Sequence, residues 1–290
     1  KTTTRRWGFF INKKAIYTPP PPPRPRRPPP PPPPATPAGI QQEGQRALQP
    51  DSIAAFSAAE RIASYDSDMQ VMHPNRARMV QVALEVLPFA PESPITALDL
   101  GAGTGIFTHA FLTRYPAARV VAVDGSAAML ELAKARLGGL EQRVEFTVGD
   151  FRGLANLLRG RKGSVVFSCF ALHHLNAKEK ADVLRASLDF LQPGGWCFNA
   201  DLVVAEDPAV EARLQEIRVA GIVARSAGRD PRFATPGDTR RFLSEMEATH
   251  RDQPLTLAQD LHAMREAGLP SPEVFWAEYR EAVIGGVKAA

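Results

Sequence analysis

The sequence predicts an α/β fold, a doubly wound and mostly parallel sheet with helices on both faces. Three observations predict it. Five short apolar runs, 96–100, 118–123, 143–148, 164–170 and 196–204, alternate with helix-like stretches near 105–114, 126–137, 152–159 and 177–191. Strand–helix alternation at this spacing calls for parallel strands covered on both sides. Two β-rich runs near the end, 272–278 and 281–288, are separated by only a few residues. They read as an antiparallel hairpin whose last strand inserts into the sheet. The first apolar run leads into a turn with three glycines at alternate positions, and a helix starts at once.

The elements follow in order. Residues 52–64 are Ala-rich with helical spacing, and Pro74 can open a helix to about Leu87, with Met79, Val80, Val82, Ala83 and Val86 on its apolar side. Ser126 caps the helix after the second strand, and Asn176 with Glu179 forms a capping box for the helix after the fourth. Pro193-Gly194-Gly195 stops that helix before the fifth strand. Beyond it, 207–225 is a charged amphipathic helix, 226–235 a loop, and 236–247 and 256–267 two more helices, the second ended by Gly268.

Composition separates a tail from a domain. Residues 1–50 hold 15 of the 27 prolines and nine basic side chains against one acid. The whole chain carries +4, so residues 51–290 carry −4. The basic pI belongs to the tail and gives no evidence of a nucleic-acid surface on the domain. Residues 19–34 are nearly all proline, which predicts an extended polyproline helix unable to pack a core. The tail reads as a solvated spacer or as an appendage foreign to the natural protein, ahead of a ligand for proline-recognising modules. The domain is expected over 51–290, with an insertion at 205–270 carrying helices on the substrate side. Two cysteines, Cys169 and Cys197, are too few for a disulfide scaffold or a Cys-rich metal site. No metal and no membrane span are expected, and the location is expected to be cytoplasmic.

The chemistry concentrates at strand ends. In Asp99-Leu100-Gly101-Ala102-Gly103-Thr104-Gly105 the glycines let a ligand approach the backbone closely. In open parallel sheets such ligands sit outside the carboxyl ends of the strands. The next strand ends in Asp124, 23 residues after Gly101. A carboxylate there can accept hydrogen bonds from both hydroxyls of a ribose. Dinucleotide binding needs G-x-G-x-x-G, whereas here the third glycine comes one residue early and Ile106 takes the fingerprint position. Asp99 adds a negative charge beside the turn, which suits an ammonium group better than a pyrophosphate. The pattern therefore argues against NAD and for a ligand with a cationic amino-acid part.

The run from Leu98 to Gly105 resembles the first motif of class I S-adenosylmethionine-dependent methyltransferases of the small-molecule type. Asp124 resembles the family's ribose-binding acid, followed by Gly125-Ser126-Ala127-Ala128-Met129. Gly149-Asp150-Phe151 resembles the stretch whose acid contacts the adenine amino group. Ser168-Cys169-Phe170-Ala171-Leu172-His173-His174-Leu175 resembles the fourth motif, and Leu191-Gln192-Pro193-Gly194-Gly195-Trp196 the turn before the fifth strand. The resemblance implies a Rossmann-like seven-stranded sheet in the order 3-2-1-4-5-7-6 with the last strand antiparallel. It implies S-adenosylmethionine as cofactor, held by Asp99, Gly101, Ala102, Gly103, Gly105, Asp124, Gly125, Ser126, Met129, Asp150, Phe151, Cys169 and Phe170. Methyl transfer by in-line displacement draws most of its acceleration from placement of the nucleophile. A general base is required only where the acceptor carries a proton of high pKa.

His173 and His174 end the fourth strand, where the acceptor should sit, and are the catalytic candidates; their alternative is to shape the pocket. Cys169 reads as a buried side chain contributing its backbone. The strand end lacks the prolines expected of enzymes that methylate exocyclic base amines, so DNA is not an expected partner. Tyr65 precedes the first core helix and can fold over the cofactor. Arg232 and His250, in the insertion, are candidate acceptor contacts; Arg232 or Arg251 can bind an anionic substrate, with solvated loop charges as the alternative for both. His109, Trp196 and Trp276 read as structural. The expected acceptor is a small molecule. An RNA substrate, in the manner of enzymes that prepare carboxylated S-adenosylmethionine for tRNA, is disfavoured by the acidic domain, and a non-catalytic cofactor-binding module by the intact glycine and acid positions.

Overall fold

The computed structural model describes residues 52–289. The proline-rich tail and the partner expected for it lie outside the described residues. In chain order, helices α1 (Ser52–Ala55), α2 (Ala59–Met72) and α3 (Arg76–Val86) precede strand β1 (Thr96–Leu100). Then follow α4 (Ile106–Arg114), β2 (Arg119–Asp124), α5 (Ala127–Leu137), β3 (Val144–Val148), α6 (Leu154–Leu157), β4 (Gly163–Cys169), α7 (Ala177–Phe190) and β5 (Leu191–Leu202). Helices α8 (Pro208–Ser226), α9 (Pro236–His250) and α10 (Leu257–Ala267) lead to the hairpin β6 (Glu273–Glu278) and β7 (Glu281–Val287).

Among the described residues the sheet has seven strands in the order β3-β2-β1-β4-β5-β7-β6. Strands β1 to β5 pair in parallel, and β7 runs antiparallel between β5 and β6. Alternation divides the strand side chains between two cores. Ala97, Val120, Ala122, Val165, Phe167, Phe198 and Ala200 join one core with α2, α3, α4, α5 and α8. Leu98, Leu100, Val121, Val123, Val166 and Cys197 join the other with α6, α7 and α10. The central strands are thus apolar on both faces, which is why their sequences read as continuous runs.

The expected caps at Ser126, Asn176 with Glu179, and Gly268 are present. Several boundaries differ from expectation for local reasons. The Ala-rich stretch is not one helix: it breaks after Ala55, and the Ser126 hydroxyl donates to the Phe56 carbonyl at 3.0 Å, drawing that backbone out of the helical ladder. Tyr65 lies inside α2, ahead of α3 as expected. The helix expected over 152–159 shrinks to a 3₁₀ turn at Phe151–Gly153, capped by Asp150, and the single turn of α6. Pro193-Gly194-Gly195 does not precede β5 but interrupts it: Leu191 pairs with Gly163 and Trp196 with Val165, so the residues between bulge out of the ladder.

Helices α7 and α10 are joined by an ion pair at 2.6 Å between Lys180 and Asp260, each 1% exposed. Burial raises the pKa of Asp260, and Lys180 opposes that shift. Removing one partner leaves an uncompensated buried charge, whereas replacing both with apolar groups does not. Lys180→Met is expected to cost about 3–5 kcal/mol in urea melts, and Lys180→Met with Asp260→Leu to recover most of it.

Candidate active site

A cavity of about 630 Å³ opens at the carboxyl ends of β1, β2 and β4. Gly101, Gly103, Asp124, Gly125, Ser126, Met129, Asp150, Phe151, Phe170 and His174 line it, all of them predicted site residues. Ile53, Phe56, Arg152, Ala171 and Leu175, which the sequence reading missed, complete the wall together with Tyr65.

The glycine turn is locked onto β2. The N–H groups of Gly101 and Ala102 both donate to the Val123 carbonyl, at 2.8 and 3.1 Å. Gly101 has φ +69°, and a Cβ there would stand 2.4 Å from the Cβ of Ala171. Only glycine fits this crossing, because both the backbone angle and the space exclude a side chain. Asp124 is oriented by two backbone donors: Gly103 N–H to Oδ2 at 2.8 Å and Ser126 N–H to Oδ1 at 2.8 Å. Burial raises its pKa against these two hydrogen bonds. Each carboxylate oxygen keeps a further lone pair for a ligand. Asp150 receives Arg152 N–H at 2.9 Å, and the Arg152 guanidinium bridges Asp150 and Glu179 at 3.0 and 2.9 Å.

Four predicted cofactor contacts lie elsewhere. Asp99 is 2% exposed behind the turn, where the Thr108 hydroxyl donates to it at 2.6 Å and burial pushes its pKa up to about 7. It does not line the cavity. Gly105 caps α4 at φ +76° and packs on Ala133 of α5, so the third glycine serves helix packing. Ala102 and Cys169 are likewise absent from the cavity wall. Burial pushes the Cys169 thiol up to about 12.

The two candidate histidines sit past the end of β4, on a 3₁₀ turn at Leu172–His174, and both are buried. His173 Nδ1 lies 2.6 Å from Oδ1 of Asp201 on β5. His174 Nδ1 lies 2.9 Å from Oδ1 of Asp252, and His173 Nε2 lies 3.6 Å from the same oxygen. Gln253 fixes the turn, its N–H donating to the His173 carbonyl at 2.8 Å and its side chain to the His174 carbonyl at 3.0 Å. Burial works against charge on His173, but Asp201 and Asp252 outweigh it and the pKa rises. Burial and the neighbouring His173 lower that of His174. His173 is therefore the more basic of the two imidazoles. The ligand atoms of His173, His174 and Asp252 lie within 4.8 Å of one another, close enough to hold a cation, but they are engaged with each other and with Asp201 in this proton network.

A smaller cavity of about 370 Å³ adjoins the first and shares Phe56, Tyr65, Phe170 and His174 with it. His73, His173, His250 and Asp252 also line this chamber. Tyr65 is buried between the guanidiniums of Arg61 and Arg76, 5.0 and 5.3 Å from its ring centre. His250 packs its ring 4.5 Å from that of Phe56. Arg232, in contrast, is held by Asp68 at 2.6 Å and by Asp230 at 2.7 Å on an outer groove, and does not reach the chamber. Asp201 and Asp252 escaped the sequence reading. Asp201 left a signal, an acid within the apolar run of β5; Asp252 left none.

A family model described as a methyltransferase domain matches residues 97–195. The chain is 35% identical over 114 residues to a trans-aconitate 2-methyltransferase from Methylobacterium radiotolerans, covering 39% of this chain and 40% of that protein. It is 27% identical over 165 residues to a carboxy-S-adenosyl-L-methionine synthase from Wolinella succinogenes, covering 56% and 67%. An O-methyltransferase family protein from Burkholderia thailandensis superposes with a TM-score of 0.60 at 18% identity over 84% of this chain and 64% of that one. Residues 97–195 are thus similar to a methyltransferase domain, and the fold is that of a solved O-methyltransferase family protein. The chain matches less than half the length of the trans-aconitate relative. The residues present fit S-adenosylmethionine, the cofactor implied by the matched domain. A glycine crossing admits close approach, and a backbone-oriented carboxylate stands at the edge of the cavity.

His250 supplies a pH test of the chamber. Burial and the charge of Arg61 hold its pKa down to about 4, against an ordinary value of 6.5. Between these values the unfolded chain takes up a proton that the folded chain refuses, so stability falls as pH drops through that window. His250→Gln is expected to remove on the order of 2–3 kcal/mol of this fall, read as a flatter profile of denaturation midpoint between pH 6.5 and 4.

Proposed function

We propose that the protein transfers a methyl group from S-adenosylmethionine to a small-molecule acceptor held in the chamber beside the glycine-turn cavity. The observation that carries this reading is the shared wall: Phe170 and His174 face both spaces, so two ligands bound there meet at one boundary. The cofactor supplies an already activated electrophilic methyl group. Gly101 and Gly103 let it approach the main chain, Asp124 accepts from its ribose hydroxyls, and Asp150 from the adenine amino group. Met129 and Phe151 offer the apolar walls a flat base requires.

His173 is the proton acceptor in this reading. Asp201 is ionised, its pKa lowered chiefly by His173 against the penalty of burial. It therefore holds a proton on His173 Nδ1 and leaves Nε2 to take one from an acceptor hydroxyl. His174 shapes the boundary through Asp252. Tyr65 and Phe56 close the cavity from the N-terminal side, and the 205–270 insertion supplies the acceptor side through His250 and Asp252. A cytoplasmic setting is the one that the unpaired Cys169 and Cys197 support. No helix among the described residues is long and apolar enough to cross a membrane.

A second reading, an enzyme of tRNA modification, draws on the likeness to the carboxy-S-adenosyl-L-methionine synthase. Transfer of labelled methyl groups into cell extract, with and without ribonuclease, separates the two. Label in small molecules that survives ribonuclease is the expected result, and loss of the signal on ribonuclease treatment supports RNA.

Calorimetry tests the cofactor site. S-adenosylhomocysteine is expected to bind in the micromolar range and NADH not at all. Asp124→Ala is expected to weaken that binding by about 1–3 kcal/mol through lost charged hydrogen bonds. His173→Gln is expected to lower kcat by roughly 10²–10⁴-fold while leaving S-adenosylhomocysteine affinity within about twofold. A variant that loses both together contradicts the assignment of His173 to the acceptor side.

A further inference from the structure

A third space, of about 640 Å³, continues from the chamber on the side away from the cofactor cavity, and Met72, His73, Leu202 and Arg218 line both. Its wall mixes apolar side chains with three guanidiniums, those of Arg218, Arg225 and Arg280. The hydrogen bonding of Arg218 is incomplete. Its side chain is 9% exposed, and its Nη1 donates to Glu247 Oε1 at 2.5 Å. Its Nε and Nη2 are buried and have no acceptor among the described residues. These two N–H groups form one edge of the guanidinium and point in parallel, the arrangement that grips both oxygens of a carboxylate. Arg280 on the same wall also has a buried Nη1 without an acceptor, while Glu211 lies 2.8 Å from its Nε. Arg225 spends its Nε on the Val71 carbonyl at 2.7 Å.

Buried donors without acceptors are costly and rare, so a double deficit on one guanidinium edge calls for an acceptor that the described residues do not supply. The acids on this wall are otherwise placed. Glu281 Oε1 lies 2.9 Å from His73 Nδ1 while its buried Oε2 has no partner among the described residues, and Glu278 is exposed on β6. With Glu247 beside Arg218, these carboxylates disfavour a dianion such as a phosphate monoester and leave room for a single negative charge.

We propose that this space is an acceptor subsite, in which the Nε/Nη2 edge of Arg218 binds a carboxylate on the substrate, at the far end from the atom presented at His173. The acceptor is then a carboxylic acid with an apolar skeleton, lying along Met72, Leu202 and Ile217, whose nucleophilic group reaches the chamber. This rests on the methyl-transfer reading above and adds the acceptor's chemical class to it. Arg218 takes the anion-binding role expected of Arg232, which two carboxylates already occupy.

The test uses the full chain saturated with S-adenosylhomocysteine and titrated with 3-phenylpropanoate, its neutral isostere 3-phenylpropanamide, and phenyl phosphate. The acid is expected to bind at least tenfold more tightly than the amide and the phosphate. Arg218→Gln is expected to abolish that preference by weakening the acid alone, and Arg218→Lys to retain part of it. Glu247→Gln keeps Arg218 in place and is expected to bind the acid as tightly as the parent or more so; an Arg218 that only anchors α8 to α9 would make this variant behave like Arg218→Gln. Equal binding of acid and amide, binding of neither, preference for the phosphate, or an acid preference that survives Arg218→Gln overturns the proposal. Should Arg218→Gln fail to fold, the parent's acid-to-amide ratio and the Glu247→Gln titration decide it. Failure to bind S-adenosylhomocysteine in the first titration counts instead against the methyl-transfer reading.

Discussion

The geometry of the site depends on one carboxylate and the two main-chain N–H groups that hold it. Asp124 ends β2, and its oxygens accept from Gly103 in the turn after β1 and from Ser126 at the start of α5. The turn after β1 and the β2–α5 junction are thereby fixed to one another through a single half-buried anion. The same contacts aim the carboxylate and set the glycine turn at the distance where a ligand can touch both. The cost of burying the charge, visible as a raised pKa, is borne because two dipoles point at it. A side chain of the same size without the charge would keep the packing and lose the alignment.

Much of this was legible in the sequence because it is local. A strand running into glycines at alternate positions, and an acid at the end of the next strand, need no knowledge of what comes later in the chain. The sheet order and the reversed last strand followed from the resemblance of motifs in register. What escaped reading depends on contacts between distant segments. Asp252 gains its role only because Gln253 brings the loop after α9 against the His173–His174 turn. Arg232 read as a free cation because nothing near it in sequence announces that Asp68, on another helix, will take its guanidinium. Asp99 and Gly105 match their motif and yet turn away from the ligand space, one toward Thr108 and the other toward Ala133. A motif records that a residue type is required but not which neighbour requires it.

The two faces of the sheet divide the labour unequally. The side covered by α6, α7 and α10 is closed by apolar packing and the buried Lys180–Asp260 pair. The other side carries α2, α8 and α9, whose inner surfaces hold Tyr65, Arg61, Arg218 and His250 around the chambers. Polar side chains buried there lower stability unless something pairs with them, so this half of the domain gives up stability for recognition.

The break after α1 bears on both cavities. The Ser126 hydroxyl, just past the end of β2, holds the Phe56 carbonyl, and Phe56 lines both spaces. The cofactor cavity and the chamber thus have one wall segment in common, so a substitution that displaces Phe56 reshapes the two together.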